Sequence, residues 1–276
     1  MTDEGGPPRE DTREEVKRRF GAYAENYVRS PDHVESESRD RLLTLTAPQP
    51  EWRVLDIATG GGHTALAFAP HVREVVATDL TKRMLDAAER HIRASGATNV
   101  RFQEADAMAL PFEDASFDLV TCRVAPHHFP DCALFVRESA RVVRPGGTVA
   151  VIDNVVPDDA EAAAFINAFE KLRDPSHNWA YSEREWVAFF REAGLQVSHV
   201  EGYRKARDFD GWTANMGVEG ALKEQVRKVL LGASGIARES LAPHEESGKL
   251  AFFLEEVLIL GARQRPKARS GLHYTR

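Results

Sequence analysis

The sequence predicts an α/β fold, a doubly wound and mostly parallel sheet with helices on both faces, and three observations predict it. From Trp52 onward, short apolar runs alternate with helical patterns: Arg53–Ala58 (RVLDIA), Val75–Thr78, Val100–Gln103, Phe117–Arg123 (FDLVTCR) and Thr148–Val156. The runs are near-continuous in apolar residues, as strands buried on both faces must be. Helix start and stop signals separate them, and strands joined by helical crossovers pair in parallel.

Each element has a local cause. Thr81 is placed to cap a helix with Met84, Leu85, Ala88 and Ile92 on its apolar face, and Gly96 closes it. A shorter helix runs from about His63 to Ala69. Asp131 caps a third, with Phe135, Val136, Ser139, Ala140 and Val143 inward, and Arg144-Pro145-Gly146-Gly147 ends it. Ser182-Glu183-Arg184-Glu185 is a capping box followed by the stripe Trp186, Phe189, Phe190 and Ala193, with Gly194 as the stop. Gln196–Tyr203 and Leu250–Ala262 supply two further strands, seven in all, and residues 209–231 read as largely helical. Upstream, Val16, Phe20, Tyr23, Ala24 and Tyr27 recur at three- and four-residue spacing. Pro31 interrupts that helix, and a second stretch runs from about Glu35 to Leu45.

The organisation expected is a disordered start over residues 1–12, a helical lid over 13–47 and a ligand-binding core over 48–156. Residues 157–262 then hold an insertion and the remaining strands, and 263–276 form a basic flexible tail with Arg263, Arg265, Lys267, Arg269 and Arg276. A chain of 276 residues, 42% hydrophobic and 29% charged, has the composition of a soluble globular protein. A net charge of −7 argues against a nucleic-acid partner, because neutralising phosphates requires a basic surface. Cys122 and Cys132 have neither metal-ligand spacing nor a disulfide framework. No apolar run reaches membrane-spanning length and Met1–Glu15 is no signal peptide, so a cytoplasmic protein without a membrane span or a metal is expected. Monomer and homodimer both stay open.

Doubly wound sheets bind ligands beyond the carboxyl ends of their strands, and the informative residues lie there. After strand one comes Asp56-Ile57-Ala58-Thr59-Gly60-Gly61-Gly62. Gly60 and Gly62 permit a sharp turn and close approach of a ligand, with a helix N-terminus beyond to attract an anion. Gly60-x-Gly62-x-x-Ala65 also satisfies the dinucleotide fingerprint. Asp56 suits an ammonium group or a brace for the turn, whereas a pyrophosphate gains nothing from it. After strand two, Asp79 lies 19 residues beyond Gly60, where a carboxylate accepts from a ribose diol in NAD and S-adenosylmethionine (SAM) alike.

The series Val54-Leu55-Asp56, Gly60-x-Gly62, Asp79, Ala105-Asp106-Ala107, Leu110-Pro111-Phe112, Ser116-Phe117-Asp118 and Arg144-Pro145-Gly146-Gly147 closely resembles class I SAM-dependent methyltransferases. Within them it is similar to the branch of ubiquinone and menaquinone C-methyltransferases, and the match covers roughly residues 50–156. The resemblance implies a Rossmann-like seven-stranded fold, SAM as cofactor and methyl transfer to O, N or C of a small molecule. It further implies that Ala58, Thr59, Gly60 and Gly62 run past the methionine part of SAM, with Asp56 ordering the site. Asp79 would hold the ribose, Leu80 and Met84 would pack near adenine, and Asp106 and the Ala107 N–H would meet its polar edge. Arg123 would lie near the methionyl end. Where this chain has Ala58, many relatives have glycine.

On the acceptor side, His127 and His128 follow strand four, and one of them is expected to act as a base or to orient the acceptor while the other fixes the loop. Tyr23 and Tyr27 on the lid, and Arg173 and His177 in the insertion, are the candidates for substrate contact. The remaining histidines, His63 and His91 among them, read as structural or solvent-facing. No Asn/Asp-Pro-Pro-Tyr signature of amino-methylating enzymes is present. Two other readings share part of this pattern. An NAD-dependent oxidoreductase would use the glycines and Asp79 but leaves Asp56 and Asp106 without a role, and a non-catalytic SAM-binding protein would use all of them.

Overall fold

The computed structural model describes residues 13–19 and 37–265. The expectations for residues 1–12, for most of the lid including Phe20, Tyr23 and Tyr27, and for the tail beyond residue 265 lie outside the described residues.

Residues 13–19 are helical. Helices α1 (Glu37–Thr46), α2 (His63–Phe68), α3 (Lys82–Ala94), α4 (Cys132–Val142), α5 (Ala160–Arg173), α6 (Glu183–Glu192), α7 (Phe209–Ala214), α8 (Gly220–Leu231) and α9 (Gly235–Leu241) follow in chain order. They surround strands β1 (Arg53–Ile57), β2 (Glu74–Asp79), β3 (Val100–Glu104), β4 (Phe117–Arg123), β5 (Val143–Val155), β6 (Leu195–Asp208), β7 (His244–Glu246) and β8 (Lys249–Arg263). The sheet runs β3-β2-β1-β4-β5-β8-β6, with β7 paired to β8. The first five strands are parallel, and β8 is antiparallel to both neighbours. The fold class is the one expected. Among the described residues the strands number eight, since Ser247 and Gly248, both at positive φ, turn the chain from a three-residue β7, which carries no apolar pattern of its own, back into β8.

Alternation along the strands divides the core. Leu55, Val120, Val136, Trp186 and Phe190 pack on the face covered by α4 and α6. Val54, Phe68, Ile92, Ile152 and Leu258 pack on the other, with Leu42 of α1. A third cluster, Phe169, Trp212, Val226, Leu230 and Phe252, lies beneath α5 and α7–α9 and fastens the insertion to the far end of β8.

Caps act largely as their sequences dictate. Asp131 accepts from the Leu134 N–H, and Ser182 with Glu185 closes both halves of the capping box. Thr81 is a correction. It stands at the N-cap of α3 without capping through its side chain, because its hydroxyl and N–H both donate to Asp79.

The bend between β1 and α2 opens the crevice at the reversal of strand order, where β1 has β2 on one side and β4 on the other. Gly62 (φ +82°) makes it possible: a Cβ there would lie 2.7 Å from Ile92 Cδ1 and 3.2 Å from Ala88 Cβ. Its hydrogen is what lets α2 and α3 pack together.

Candidate active site

The carboxyl ends of β1 to β4 frame a cleft of about 960 Å³, measured out to open solvent. Asp56, at the end of β1, is 1% exposed. Its Oδ2 accepts from Thr59 Oγ1 at 2.6 Å and its Oδ1 from Thr121 Oγ1 at 2.8 Å. Burial pushes its pKa up to about 6 against the pull of those hydrogen bonds and of Arg123. The turn it braces holds Ala58 at φ +52°, a conformation strained for a residue with a Cβ. His91 adds a contact of 2.8 Å from Nδ1 to the Gly61 carbonyl.

Asp79, ending β2, ties that turn to its own strand. Its Oδ2 accepts from the Gly60 N–H at 3.2 Å, and its Oδ1 from the Thr81 N–H at 3.0 Å and Thr81 Oγ1 at 3.2 Å. Burial raises its pKa despite these donors. A carboxylate has about four acceptor positions, so one on Oδ2 remains for a ligand. Leu80 and Met84 line the cleft beside it.

Asp106 follows β3. Its Oδ1 accepts from the Met108 N–H at 2.9 Å, and its Oδ2 is held at 3.0 Å by Arg13 Nη1 from the N-terminal helical stretch. Arg13 and Val16 of this stretch both line the cleft. Neither residue was a sequence-level candidate, because nothing local in residues 13–19 indicates which strand tip the stretch reaches.

Of the expected cofactor contacts, Asp56, Ala58, Thr59, Gly60, Asp79, Leu80, Met84, Asp106, Ala107 and Arg123 line this one cleft. Gly62 does not; its place is the α2–α3 contact. His63, read from sequence as structural, lines the cleft as well. Arg123, ending β4, donates from Nε to Thr64 Oγ1 at 3.2 Å. Burial lowers its pKa, and Glu256 and Asp56 oppose that shift.

The paired histidines separate. A 3₁₀ turn, Pro126–His128, follows β4 and sends the two rings to different surroundings. His128 lines the cleft. Its Nδ1 lies 3.0 Å from the Ser176 carbonyl, so Nδ1 carries the proton and Nε2 the lone pair of a neutral ring. Burial first, and the charge of His127 second, bring its pKa down to about 3. His127 faces away from the cleft, with Nδ1 2.6 Å from Asp153 Oδ1. Burial works against its protonation, yet the charge and hydrogen bond of Asp153 prevail and raise its pKa. The ring centroids are 4.2 Å apart. Asp153 was missed from sequence; an acid inside the apolar run Val151-Ile152-Asp153-Asn154 was the available signal.

Two substrate candidates have structural partners instead. Arg173 donates from Nε and Nη2 to the Trp212 carbonyl at 3.1 and 2.9 Å, with its guanidinium 4.5 Å over the Trp212 ring. His177 is 1% exposed, with Nε2 2.8 Å from Asn167 Oδ1, and neither residue lines the cleft. Tyr23 and Tyr27 lie outside the described residues.

Residues 55–151 match the family model described as a methyltransferase domain. The methyltransferase YcgJ of Bacillus subtilis is 36% identical over 247 residues, which cover 89% of this chain and 98% of that protein. The chain belongs to the methyltransferase-domain family. The crystal structure of YcgJ superposes on this methyltransferase with a TM-score of 0.79, covering 83% of this chain and 99% of that one at 36% identity. The demethylmenaquinone methyltransferase of Deinococcus radiodurans is 35% identical over 164 residues, 55% of this chain and 67% of its own length. Class I methyltransferase, expected from the motif series, is therefore family, fold and enzyme class together, and the oxidoreductase alternative falls away. Among the described residues, no helix of this methyltransferase is long and apolar enough to cross a membrane.

Proposed function

We propose that this methyltransferase draws its methyl group from SAM, bound along the cleft, and delivers it to O, N or C of a small molecule presented beside His128. The observation that carries the reading is the placement of Asp56, Asp79 and Asp106 at three successive strand tips on one cleft wall. A carboxylate near a sharp turn suits an ammonium, one with a remaining acceptor position suits a ribose hydroxyl, and one beside a backbone N–H suits the polar edge of adenine. Leu80 and Met84 supply the apolar surface that a purine needs. The donor set fits the cofactor.

When bound, SAM supplies a methyl group made electrophilic by its sulfonium charge. The chain's own residues align and shield. Val16 lines the cleft with Leu80 and Met84 and adds apolar surface that shields it from water. His128, neutral and with Nε2 as its lone-pair atom, accepts a hydrogen bond from a hydroxyl or amine acceptor and orients it; an imidazole whose pKa is held at about 3 is too weak a base to remove that proton at neutral pH. His127 and Asp153 sit behind it as positioning residues: the neighbouring His127 adds to the burial that lowers the His128 pKa. A small acceptor rather than nucleic acid is supported by the net charge of −7.

Calorimetric titration with SAM, S-adenosylhomocysteine and NAD tests the cofactor. Incubation with methyl-labelled SAM and a metabolite extract of the source cell, followed by mass spectrometry, tests the acceptor. Binding of both adenosyl ligands and a labelled small product are expected. Binding of NAD alone would overturn the cofactor assignment, and retained SAM without turnover across a broad extract would favour a non-catalytic binder.

A further inference from the structure

SAM brings a carboxylate of its own into a cleft already lined by Asp56, Asp79 and Asp106. Asp106 follows β3, Asp79 ends β2 and Asp56 lies near the end of β1, on strands that stand side by side in that order, with β4 and Arg123 beyond. An added carboxylate is repelled by Asp79 and Asp106, so it is best placed at the β1–β4 end of the cleft, where α2 begins. With ribose at Asp79 and adenine at Asp106, the amino acid of SAM extends toward that same end.

His63 is the first residue of α2 and lines the cleft, with 8% of its surface exposed. The packing that sets it there begins at Gly62, which has no Cβ and lets Ala88 and Ile92 of α3 press against the turn. His91, next to Ile92, thereby reaches the turn as well. Its Nδ1 is 2.8 Å from the Gly61 carbonyl, and its ring meets that of His63 edge-on, with centroids 4.8 Å apart and planes at 61°. The His63 ring is thus held between the glycine turn, α3 and the cleft.

An imidazole keeps at least one N–H donor whatever the pH. Arg123 borders the same end of the cleft, but its Nε donates to Thr64 Oγ1, and Glu256, Asp56 and Asp40 all act on its charge. That charge is already shared among carboxylates of the chain. The amino-acid end of SAM carries an ammonium and a carboxylate whose charges cancel, so it needs directed hydrogen bonds and no surplus of cations. Asp56 gives the ammonium a negative neighbour, and an N–H from the α2 side completes the pairing.

We infer that His63 is a cofactor-binding residue whose ring N–H donates to the carboxylate at the amino-acid end of SAM. The inference rests on the SAM reading above and deepens it, since it assigns the recognition of one group of that cofactor to one side chain. A hydrogen bond to an ionised acceptor is roughly twice as strong as one between neutral groups, and burial of the ring limits competition from water.

The test is calorimetric titration of the full chain with S-adenosylhomocysteine, with its decarboxylated analogue, which keeps the amino group, and with methylthioadenosine, which lacks the amino acid altogether. The parent chain is expected to bind S-adenosylhomocysteine at least about tenfold tighter than the decarboxylated analogue. His63→Ala is expected to weaken S-adenosylhomocysteine at least about fivefold and to leave the other two ligands within about twofold of the parent. A distorted turn would weaken all three ligands together, so the selective loss separates ligation from a folding defect. Equal weakening of the three, no weakening of any, or a parent chain that does not distinguish S-adenosylhomocysteine from its decarboxylated analogue would overturn the inference and leave the SAM reading standing. A parent chain that binds none of the three would overturn the SAM reading and this inference with it.

Discussion

Asp153 Oδ1 lies 2.6 Å from His127 Nδ1, and both side chains are buried, at 1% and 7% exposure. Burial favours the neutral form of each group, yet the charge and hydrogen bond of the close carboxylate raise the pKa of the imidazole. Asp153 is raised by the same burial, which His127 only partly reverses. Asp153→Asn leaves the imidazole without its counter-charge, and breaking a buried pair in this way costs about 3–5 kcal/mol. Urea melts of the variant at neutral pH should show that loss, and carbon-13 histidine spectra should show the His127 titration moving down. A loss below about 1 kcal/mol would mean that the pair carries little net charge.

Asp79 offers a cleaner separation of binding from folding. It joins the Gly60 and Thr81 N–H groups, so Asp79→Ala removes a brace as well as the proposed ribose acceptor. Asp79→Asn retains an amide oxygen for one of those donors and is the better control. SAM affinity is expected to fall at least about tenfold in both, roughly the worth of one charge-assisted hydrogen bond. Equal affinity in either folded variant would remove Asp79 from the cofactor site.

Arg13 predicts a gain. Its bond to Asp106 joins two partly exposed side chains, at 42% and 23%, and such pairs contribute about 0–1 kcal/mol. The proposed purine contact uses Oδ2, the same oxygen that Arg13 Nη1 occupies. Arg13→Ala is therefore expected to leave the melting temperature nearly unchanged and to tighten SAM binding several-fold by calorimetry. Weaker binding would show that Arg13 assists the cofactor instead of competing with it.

The strand tips were legible because a strand, a turn and a helix start constrain position by period and by chain length alone. Asp56, Asp79 and Asp106 each end or follow an apolar run, and the sheet order then gathers them on one cleft. Long-range partnership was not legible. Asp153 finds His127 only because β5 lies beside β4, and Lys205 finds Glu256 only because β8 inserts between β5 and β6. The division of labour between His127 and His128 depends on the twist of one 3₁₀ turn, which two adjacent identical residues do not encode. Arg173 was read near the pocket, but the third core draws it to Trp212, an aromatic partner 39 residues away. Gly62 was read as a ligand-facing residue, when contact with Ile92 from the next helix is what excludes a Cβ.

His128 makes stability depend on pH in a definite direction. An unperturbed histidine titrates at about 6.5. Burial, then the neighbouring His127 charge, takes His128 down to about 3, although Asp174 and the Ser176 contact oppose the shift. Between those values the unfolded chain holds a proton that the folded chain refuses, so stability rises with pH across that window. The contribution is complete above about pH 6.5 and is lost as pH falls toward about 3. From pH 7 to pH 5 the loss from this one group is about 2 kcal/mol. His177, lowered by burial and by both neighbouring histidines, acts in the same sense. Asp56 acts in the opposite sense, since its folded pKa is raised to about 6 and protonation below that value favours the folded state. Comparison of the parent chain with His128→Asn in urea melts at pH 7 and pH 5 isolates the histidine term from the other two. The parent is expected to lose about 2 kcal/mol more than the variant on acidification. Parallel losses in the two proteins would mean that His128 is protonated in the folded state, and a protonated imidazole at the cleft has no lone pair to offer an acceptor.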